Sequence, residues 1–305
     1  MDKVQVLMST YNGEKYIEEQ LQSILQQSYH NIEILIRDDG SNDNTVNIIR
    51  KYADMYSDKI RFIKGSNAGI IPSFFKLLGA VDLNASYYCF CDQDDVWMND
   101  KVERAVNVLQ LCDRAGMYFS STMLADQDLR PIKVWPAPSQ KAPHFYNALI
   151  QNVAVGATVV INKAARDLLI SKTVNHENLQ MHDWWAYLCV SAFGRVYYDE
   201  QPTIYYRQHN NNVVGGHRTI FHELWNKWRS FRKHSGHKLL KKQAIEFNKL
   251  YADSLDTEKL NQLKLFIQDR KSVKHKLLFL RSSKLYRHSF LENQLFKFLI
   301  IIDYV

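Results

Sequence analysis

Asp92-Gln93-Asp94-Asp95 sets three carboxylates within four residues, directly after the apolar run Tyr87–Cys91. Like charges this close repel one another, and a hard divalent cation relieves the repulsion by bridging them. Mg²⁺ or Mn²⁺ commonly takes one or two carboxylates and fills its remaining positions with water and phosphate oxygens. Asp92 and Asp94, at i and i+2 of an extended segment, project to the same side. A cation held there would act as a Lewis acid on a departing nucleoside diphosphate. The tetrapeptide also suits a solvated acidic turn, with Asp95 in a structural role.

Three further clusters invite chemistry. Arg37-Asp38-Asp39-Gly40-Ser41 closes the apolar stretch Ile32–Ile36, and a carboxylate there can accept from the ring N–H of uracil or thymine. An Asx-type turn capping the next helix fits equally well. His182-Asp183-Trp184-Trp185 offers one carboxylate as a base toward a hydroxyl attacking an activated sugar, with two flat indole faces for sugar rings. The alternative is an N-cap Asp with aromatics in the core and His182 as a structural histidine. Arg207-Gln208-His209 follows a strand, so Arg207 or His209 can meet a diphosphate or its metal. The asparagines after them favour a plain surface loop.

The elements that must position these clusters alternate. Strands are expected at Val4–Met8, Ile32–Ile36, Ile60–Ile63 and Tyr87–Cys91. Helical spacing marks Glu14–Gln27, the stretch after Asp43/Asn44 to Tyr52, Ser73–Ala80 and Lys101–Leu111. This alternation predicts a mostly parallel α/β sheet flanked by helices, whose ligands sit beyond the carboxyl ends of the strands. After about residue 115 come strand-like pieces at Met117–Ser120, Val153–Ile161, Arg195–Tyr198 and Thr203–Tyr206, plus a Pro-rich connection from Pro131 to Pro143 and a helix Trp184–Phe193. From about residue 218 helical spacing dominates.

Composition narrows the class. The 305 residues, 46% hydrophobic, suffice for a large folded core. No secretory signal precedes the first strand, and no run nears the ~18 apolar residues of a spanning helix. The four cysteines form no disulfide or metal pattern; Cys89 and Cys91 should share one buried face of a strand. A cytoplasmic protein is expected. Residues 221–305 hold 18 Lys and Arg against 8 Asp and Glu, whereas residues 1–220 hold 21 against 24. The basic excess therefore lies in the last third, facing some anionic surface. Phe221, Leu224, Trp225, Trp228 and Phe231 share a helical face there, which suits a membrane interface, a catalytic domain or a second protomer. A nucleic-acid role lacks a recognisable motif.

Taken in order, Ser9-Thr10-Tyr11-Asn12-Gly13, Asp38-Asp39-Gly40-Ser41, Asn67-Ala68-Gly69, Asp92-Gln93-Asp94-Asp95-Val96-Trp97, Gly156-Ala157-Thr158 and His182-Asp183-Trp184-Trp185 are similar to the landmarks of family 2 glycosyltransferases of the GT-A fold. The resemblance covers about residues 1–215. It implies a Rossmann-like catalytic domain, 1–217, with a nucleotide-binding half to about 115 and an acceptor-binding half after it. A basic helical region, 218–305, would follow. It also implies inverting single displacement from a nucleotide-sugar, with Asp183 as base. Thr10, Tyr11, Asn12, Asp39, Asp92, Arg207 and His209 would hold the donor, and Trp184 and Trp185 the sugar or acceptor. Asp92, Asp94 and His209 would hold Mg²⁺ or Mn²⁺. Asp-Gln-Asp-Asp-Val-Trp with His-Asp-Trp-Trp most resembles bacterial rhamnosyltransferases. These take dTDP-L-rhamnose and a polyprenyl-diphosphate-linked saccharide at the cytoplasmic face of the membrane, building cell-surface polysaccharide. A UDP-hexose donor, or a non-catalytic nucleotide-binding or scaffold subunit, are the alternatives, and a homodimer is compatible with each. The Gln-x-x-Arg-Trp motif of processive synthases is missing, and no G-x-G-x-x-G of a Rossmann oxidoreductase follows the first strand. Residues 9–15 carry only Gly13 and Lys15, which also disfavours a nucleotidylyltransferase.

Overall fold

The computed structural model describes residues 1–136, 141–208, 239–270 and 272–302. Along the chain run β1 (Val4–Thr10), α1 (Ile17–Leu25), β2 (Ile32–Asp38), α2 (Thr45–Met55), β3 (Ile60–Lys64), α3 (Ile70–Gly79), β4 (Tyr87–Cys91), β5 (Val96–Trp97) and α4 (Lys101–Leu109). Next come β6 (Gly116–Ser120), β7 (Thr122–Ala125), β8 (Pro131–Trp135), α5 (Phe145–Ala148), β9 (Val160–Asn162), α6 (Lys163–Ile170), α7 (His182–Phe193), β10 (Arg195–Asp199) and β11 (Ile204–Arg207). The last described elements are α8 (Leu239–Tyr251), α9 (Thr257–Ile267), α10 (Val273–Ser282) and α11 (Phe290–Ile301). Among the described residues no helix is long and apolar enough to cross a membrane.

The chain divides into two compact units. The first comprises Met1–Pro138, Asn152–Thr173 and Met181–Arg207. Its main sheet has seven strands in the order β10-β6-β9-β4-β1-β2-β3. β1 pairs in parallel with both β2 and β4, β2 with β3 and β10 with β6, while β9 runs antiparallel between β4 and β6. Central strands are buried on both faces, so they read as unbroken apolar runs rather than alternating ones: Val4, Val6, Leu7 and Met8 are fully buried, as is all of β4. Cys89 and Cys91 lie in this core, and burial pushes the Cys89 thiol up to about 11. A second sheet, β5-β11-β7-β8, stands at the carboxyl-edge side of β4, joined to it through the Asp92–Asp95 turn.

Register aligns the ends that matter. Thr10 pairs with Asp38 and Met8 with Cys91, so the turns after β1, β2 and β4 leave one edge of the sheet together. Three local expectations need adjustment. α3 starts at Ile70, ahead of Ser73, with Pro72 in its first turn, where a helix loses nothing from a missing N–H. Most of Val153–Ile161 is a loop and a 3-10 turn, Gly156–Thr158, and only Val160–Asn162 is strand. The Pro-rich connection begins as strand β8, because Pro131 sits at a strand start on a sheet edge, where its missing donor is tolerated.

The second unit comprises Ser139–Gln151, Val174–Gln180 and Gln208–Val305. Phe145 of α5 lies 5.8 Å from Phe247 of α8, and Glu246 accepts from Asn178 Nδ2 at 2.8 Å. Arg287 Nη2 donates to the Ile150 carbonyl at 2.9 Å. The apolar stripe at Phe221–Phe231 and the 217/218 boundary lie outside the described residues.

Candidate active site

The turn after β2 is built from donors. Asp38 Oδ2 accepts the N–H groups of Gly40 and Ser41 at 3.0 and 2.9 Å, and Oδ1 accepts from Thr10 Oγ1 at 3.1 Å. Asp38 is thus the turn-forming carboxylate, and it takes the Thr10 hydroxyl proton in a hydrogen bond. Asp39 reaches the other way. Its Oδ1 accepts from Arg37 Nη1 at 2.5 Å and from the Ala68 N–H at 2.8 Å, and Oδ2 accepts from the Gly69 N–H at 2.8 Å. Gly69 manages this at φ +86°, which disfavours any side chain. A carboxylate oxygen can accept about two bonds, so Asp39 Oδ2 keeps one acceptor position for a ligand N–H. Asn12 sits at φ +49° and ties the two turns: Asn42 N–H donates to its Oδ1 at 2.9 Å, and its own N–H donates to Ser41 Oγ at 2.8 Å. Tyr11 is exposed beside them.

The turn after β4 is assembled differently. The Gln93 amide spans to the backbone of Tyr11, accepting its N–H at 2.9 Å and donating to its carbonyl at 3.0 Å. Gly13 leaves room for that amide, since a Cβ there would lie 2.2 Å from Gln93 Oε1. Beneath, the Trp97 N–H donates to Ser23 Oγ at 3.0 Å. Gln20, oriented so that its amide nitrogen faces the Asp95 carbonyl, accepts from Trp97 Nε1 at 3.1 Å. Lys101, fully buried, places its ammonium 3.7 Å over the Trp97 ring. β11 pairs antiparallel with β5 and ends at Arg207, whose N–H donates to Asp95 Oδ1 at 3.2 Å.

Arg207 itself is buried and committed. Its Nε donates to the Asp94 carbonyl at 3.0 Å and Nη1 to the Gln127 carbonyl at 2.5 Å, Nη2 pairs with Glu19, and the guanidinium lies 4.6 Å over the Tyr16 ring. These bonds make the fork a brace for the acidic turn. Trp185 is fully buried in α7, because that helix is apolar nearly all round and must be enclosed; only Trp184 retains partial exposure. His182 is a core residue, stacked 3.7 Å from Phe74, with neither ring nitrogen hydrogen-bonded and its pKa held down to about 3 by burial. His209 lies outside the described residues.

Asp183 occupies the first turn of α7. Oδ1 accepts the Trp184 N–H at 2.7 Å, and Oδ2 accepts from Asn152 Nδ2 at 3.1 Å. Gly156 lets the 3-10 turn approach, since a Cβ there would lie 3.2 Å from Oδ2. Burial lifts its pKa to about 6, opposed by these donors. Such a value suits a group that must be ionised near neutrality yet still hold a proton.

Charges tie the pieces together. Burial, then the negative charges of Asp94 and Asp183, push Asp92 up to about 7. Asp95 is raised well above the ordinary carboxylate range by burial and by Asp94 and Asp92. The Tyr206 hydroxyl, one residue before Arg207, is raised by burial and by all four carboxylates. Asp92, Asp94 and Asp183 thus come from separate stretches into one electrostatic neighbourhood. Among the described residues no group of three or more His, Cys, Asp or Glu side chains is placed to hold a metal ion by itself. The crowded carboxylates instead fit an open Mg²⁺ or Mn²⁺ site that takes its other ligands from water and phosphate.

A mostly parallel sheet flanked by helices, an acidic turn after its fourth strand and a buried carboxylate at the start of α7 define a GT-A glycosyltransferase. The sequence profile of glycosyl transferase family 2 matches residues 5–162, and the chain belongs to that family. It is 37% identical over 221 residues to the dTDP-rhamnosyl transferase RfbG of Shigella flexneri, covering 68% of this chain and 73% of that one. An uncharacterized glycosyltransferase of Haemophilus influenzae is 29% identical over 58% of this chain and 69% of its own. Among solved structures, S. aureus TarS 1-349 superposes with a TM-score of 0.58 at 16% identity, over 99% of this chain and 79% of that one. The mannosyltransferase PcManGT of Pyrobaculum calidifontis, solved with GDP-Man and Mn²⁺, gives 0.52 at 13% identity, over 99% and 87%. These likenesses establish the fold.

Gln93, Gln20, Lys101, Tyr206 and Asn152 escape sequence reasoning. Gln93 alone left a trace, as the residue enclosed between two carboxylates; the others are set by tertiary contacts.

Proposed function

We propose that the protein transfers L-rhamnose from dTDP-L-rhamnose, with inversion, to a hydroxyl of a polyprenyl-diphosphate-linked saccharide at the cytoplasmic surface of a membrane. The gathering of Asp92, Asp94 and Asp183 into one charged neighbourhood carries the transfer chemistry. Similarity to RfbG supports the donor. In this reading residues 1–217 work as the catalytic domain and residues 218–305 as its helical extension.

Asp39 Oδ2 receives the thymine ring N–H, with Arg37, Ala68 and Gly69 holding the carboxylate in place. Tyr11 lies where a base can stack, and Asn12 and Thr10 keep the flanking turns in register. Asp92 and Asp94 would hold Mg²⁺ or Mn²⁺, which supplies Lewis-acid stabilisation of the diphosphate leaving group. Arg207 positions the Asp94 backbone through its carbonyl. Asp183 takes the proton of the acceptor hydroxyl as the hydroxyl oxygen, not the carboxylate, bonds to the anomeric carbon. The bond from the anomeric carbon to the diphosphate breaks, its electron pair leaves with dTDP, and the configuration inverts. Trp184 offers a partly exposed face to the acceptor sugar.

A thermal-shift panel of dTDP-rhamnose, UDP-hexoses and GDP-mannose with Mn²⁺ tests the donor, because a ligand of the native state raises apparent stability by mass action. The largest shift is expected with dTDP-rhamnose. A response to UDP-hexoses alone would replace the donor, and silence across the panel would point to a scaffold subunit.

A further inference from the structure

Helix α11 is apolar on two opposite sides. Phe296, Leu299 and Ile300 are buried, fastening it into the second unit. At 100° per residue, Phe290, Leu291, Phe298, Ile301 and the following Ile302 fall within an arc of about 120° on the other side. Those five are 43–72% exposed. Helix α10, which packs against α11, repeats the arrangement: Phe279 is buried, while Val273, Leu277 and Leu278 are 50–65% exposed. A helix with apolar side chains all round is ordinarily enclosed, and isolated exposed apolar residues need no explanation whereas a contiguous set marks a contact surface.

Charge selects the occupant. Residues 272–302 hold six Lys and Arg against the single Glu292. Lys274 and Arg281 are exposed on α10, in the turns that carry Val273, Leu277 and Leu278. A second copy of this chain would bring the same positive sign against it, and residues 209–238 are likewise basic. An anionic bilayer satisfies both features, taking the apolar side chains below the headgroups and the basic ones at the phosphates. We infer that the exposed faces of α10 and α11 dock the protein on an anionic membrane surface. This deepens the lipid-linked acceptor of the proposed function; the test below contains neither donor nor acceptor, so either reading can fail alone.

Flotation of the full chain with phosphatidylcholine vesicles, with and without phosphatidylglycerol, is the measurement. The protein should float with the anionic vesicles and much less with the neutral ones. Phe290→Ser with Leu291→Ser and Phe298→Ser should weaken binding by about tenfold or more, and Lys274→Glu with Arg281→Glu should do so most at low salt. Circular dichroism and melting temperature establish that each variant is folded; because the altered side chains are exposed, both should match the parent. No flotation of the parent, or equal flotation of both folded variants, overturns the inference. So does a parent dimer in light scattering that the triple variant dissociates, since a second copy would then cover the face.

Discussion

Asp39 and Asp92 each stand just beyond the carboxyl end of a central strand in the same sheet, yet their surroundings are opposite. Asp39 accepts from Arg37 and two backbone N–H groups, and the ion pair is about 95% buried on both sides. Among the described residues Asp92 meets burial and the charges of Asp94 and Asp183, all of which favour its neutral form. The first carboxylate is stabilised by the fold itself, so it is a fixed acceptor for one more N–H. The second group is a destabilised assembly that a divalent cation would relieve. In the proposed function, identical side chains at one sheet edge would separate into a recognition element and a site for a cation, with donor supply deciding which is which.

Stability should expose that difference by sign. Asp39→Ala leaves the Arg37 guanidinium buried without its carboxylate and should cost about 3 kcal/mol or more in urea unfolding. A loss below about 1 kcal/mol would mean that Ser66 and Ser73, which also hold Arg37, suffice. Next in size, Asp183→Asn should slow sugar transfer by ~10²-fold or more while donor affinity changes little. Turnover close to the parent's would remove Asp183 from the role of base. Asp92→Asn should act in the other direction on stability. In chelator, the raised pKa means that Asp92 weakens the fold in full above about pH 7, and that this penalty fades as pH falls from 7 to 4 and is gone below about pH 3, where the carboxyl is protonated folded or unfolded. The variant should gain about 1–2 kcal/mol at pH 8, allowing for the residue's partial exposure, and nothing at about pH 3. It should also lose most of the stabilisation that Mn²⁺ gives the parent. A destabilised variant at pH 8 would show that the two turns are alike after all.

Much of this division was legible in the residue order. The strand-helix alternation announced a parallel sheet, and the rule that ligands collect at carboxyl ends singled out the Asp38-Asp39 and Asp92–Asp95 turns; the choice of Asp39 over Asp38 came from the family resemblance. Their chemistry is local, since each turn follows its strand by one to three residues. What stayed hidden depends on long-range contacts. Arg207 reads as a phosphate ligand until the Asp94 and Gln127 carbonyls and Glu19 are seen around it. Trp185 reads as a sugar platform because neighbouring positions on a helix point about 100° apart, and only the packing decides which indole faces inward. α11 shows the same limit, because its spacing cannot tell a buried apolar side from an exposed one.

The smallest expected effect probes the link between the two acidic turns. Gln93 lies between Asp92 and Asp94, but its amide is engaged by Tyr11, at the end of the strand that also carries Thr10 beside Asp38. It is thus the strap that holds the Asp92–Asp95 turn against the backbone after β1. Gln93→Ala removes two neutral hydrogen bonds and should cost only about 1 kcal/mol of stability. The sharper reading is thermodynamic coupling, which must be reciprocal between two ligands. In the parent, Mn²⁺ should tighten dTDP binding through the shared diphosphate. In Gln93→Ala that enhancement should shrink about threefold to tenfold, with dTDP affinity in chelator unchanged. Gly13→Ala, whose new Cβ would collide with the same amide, should reproduce the loss although it touches neither carboxylate. Full coupling in both variants would leave Gln93 a spacer, and the two turns would be joined only by the ligand itself.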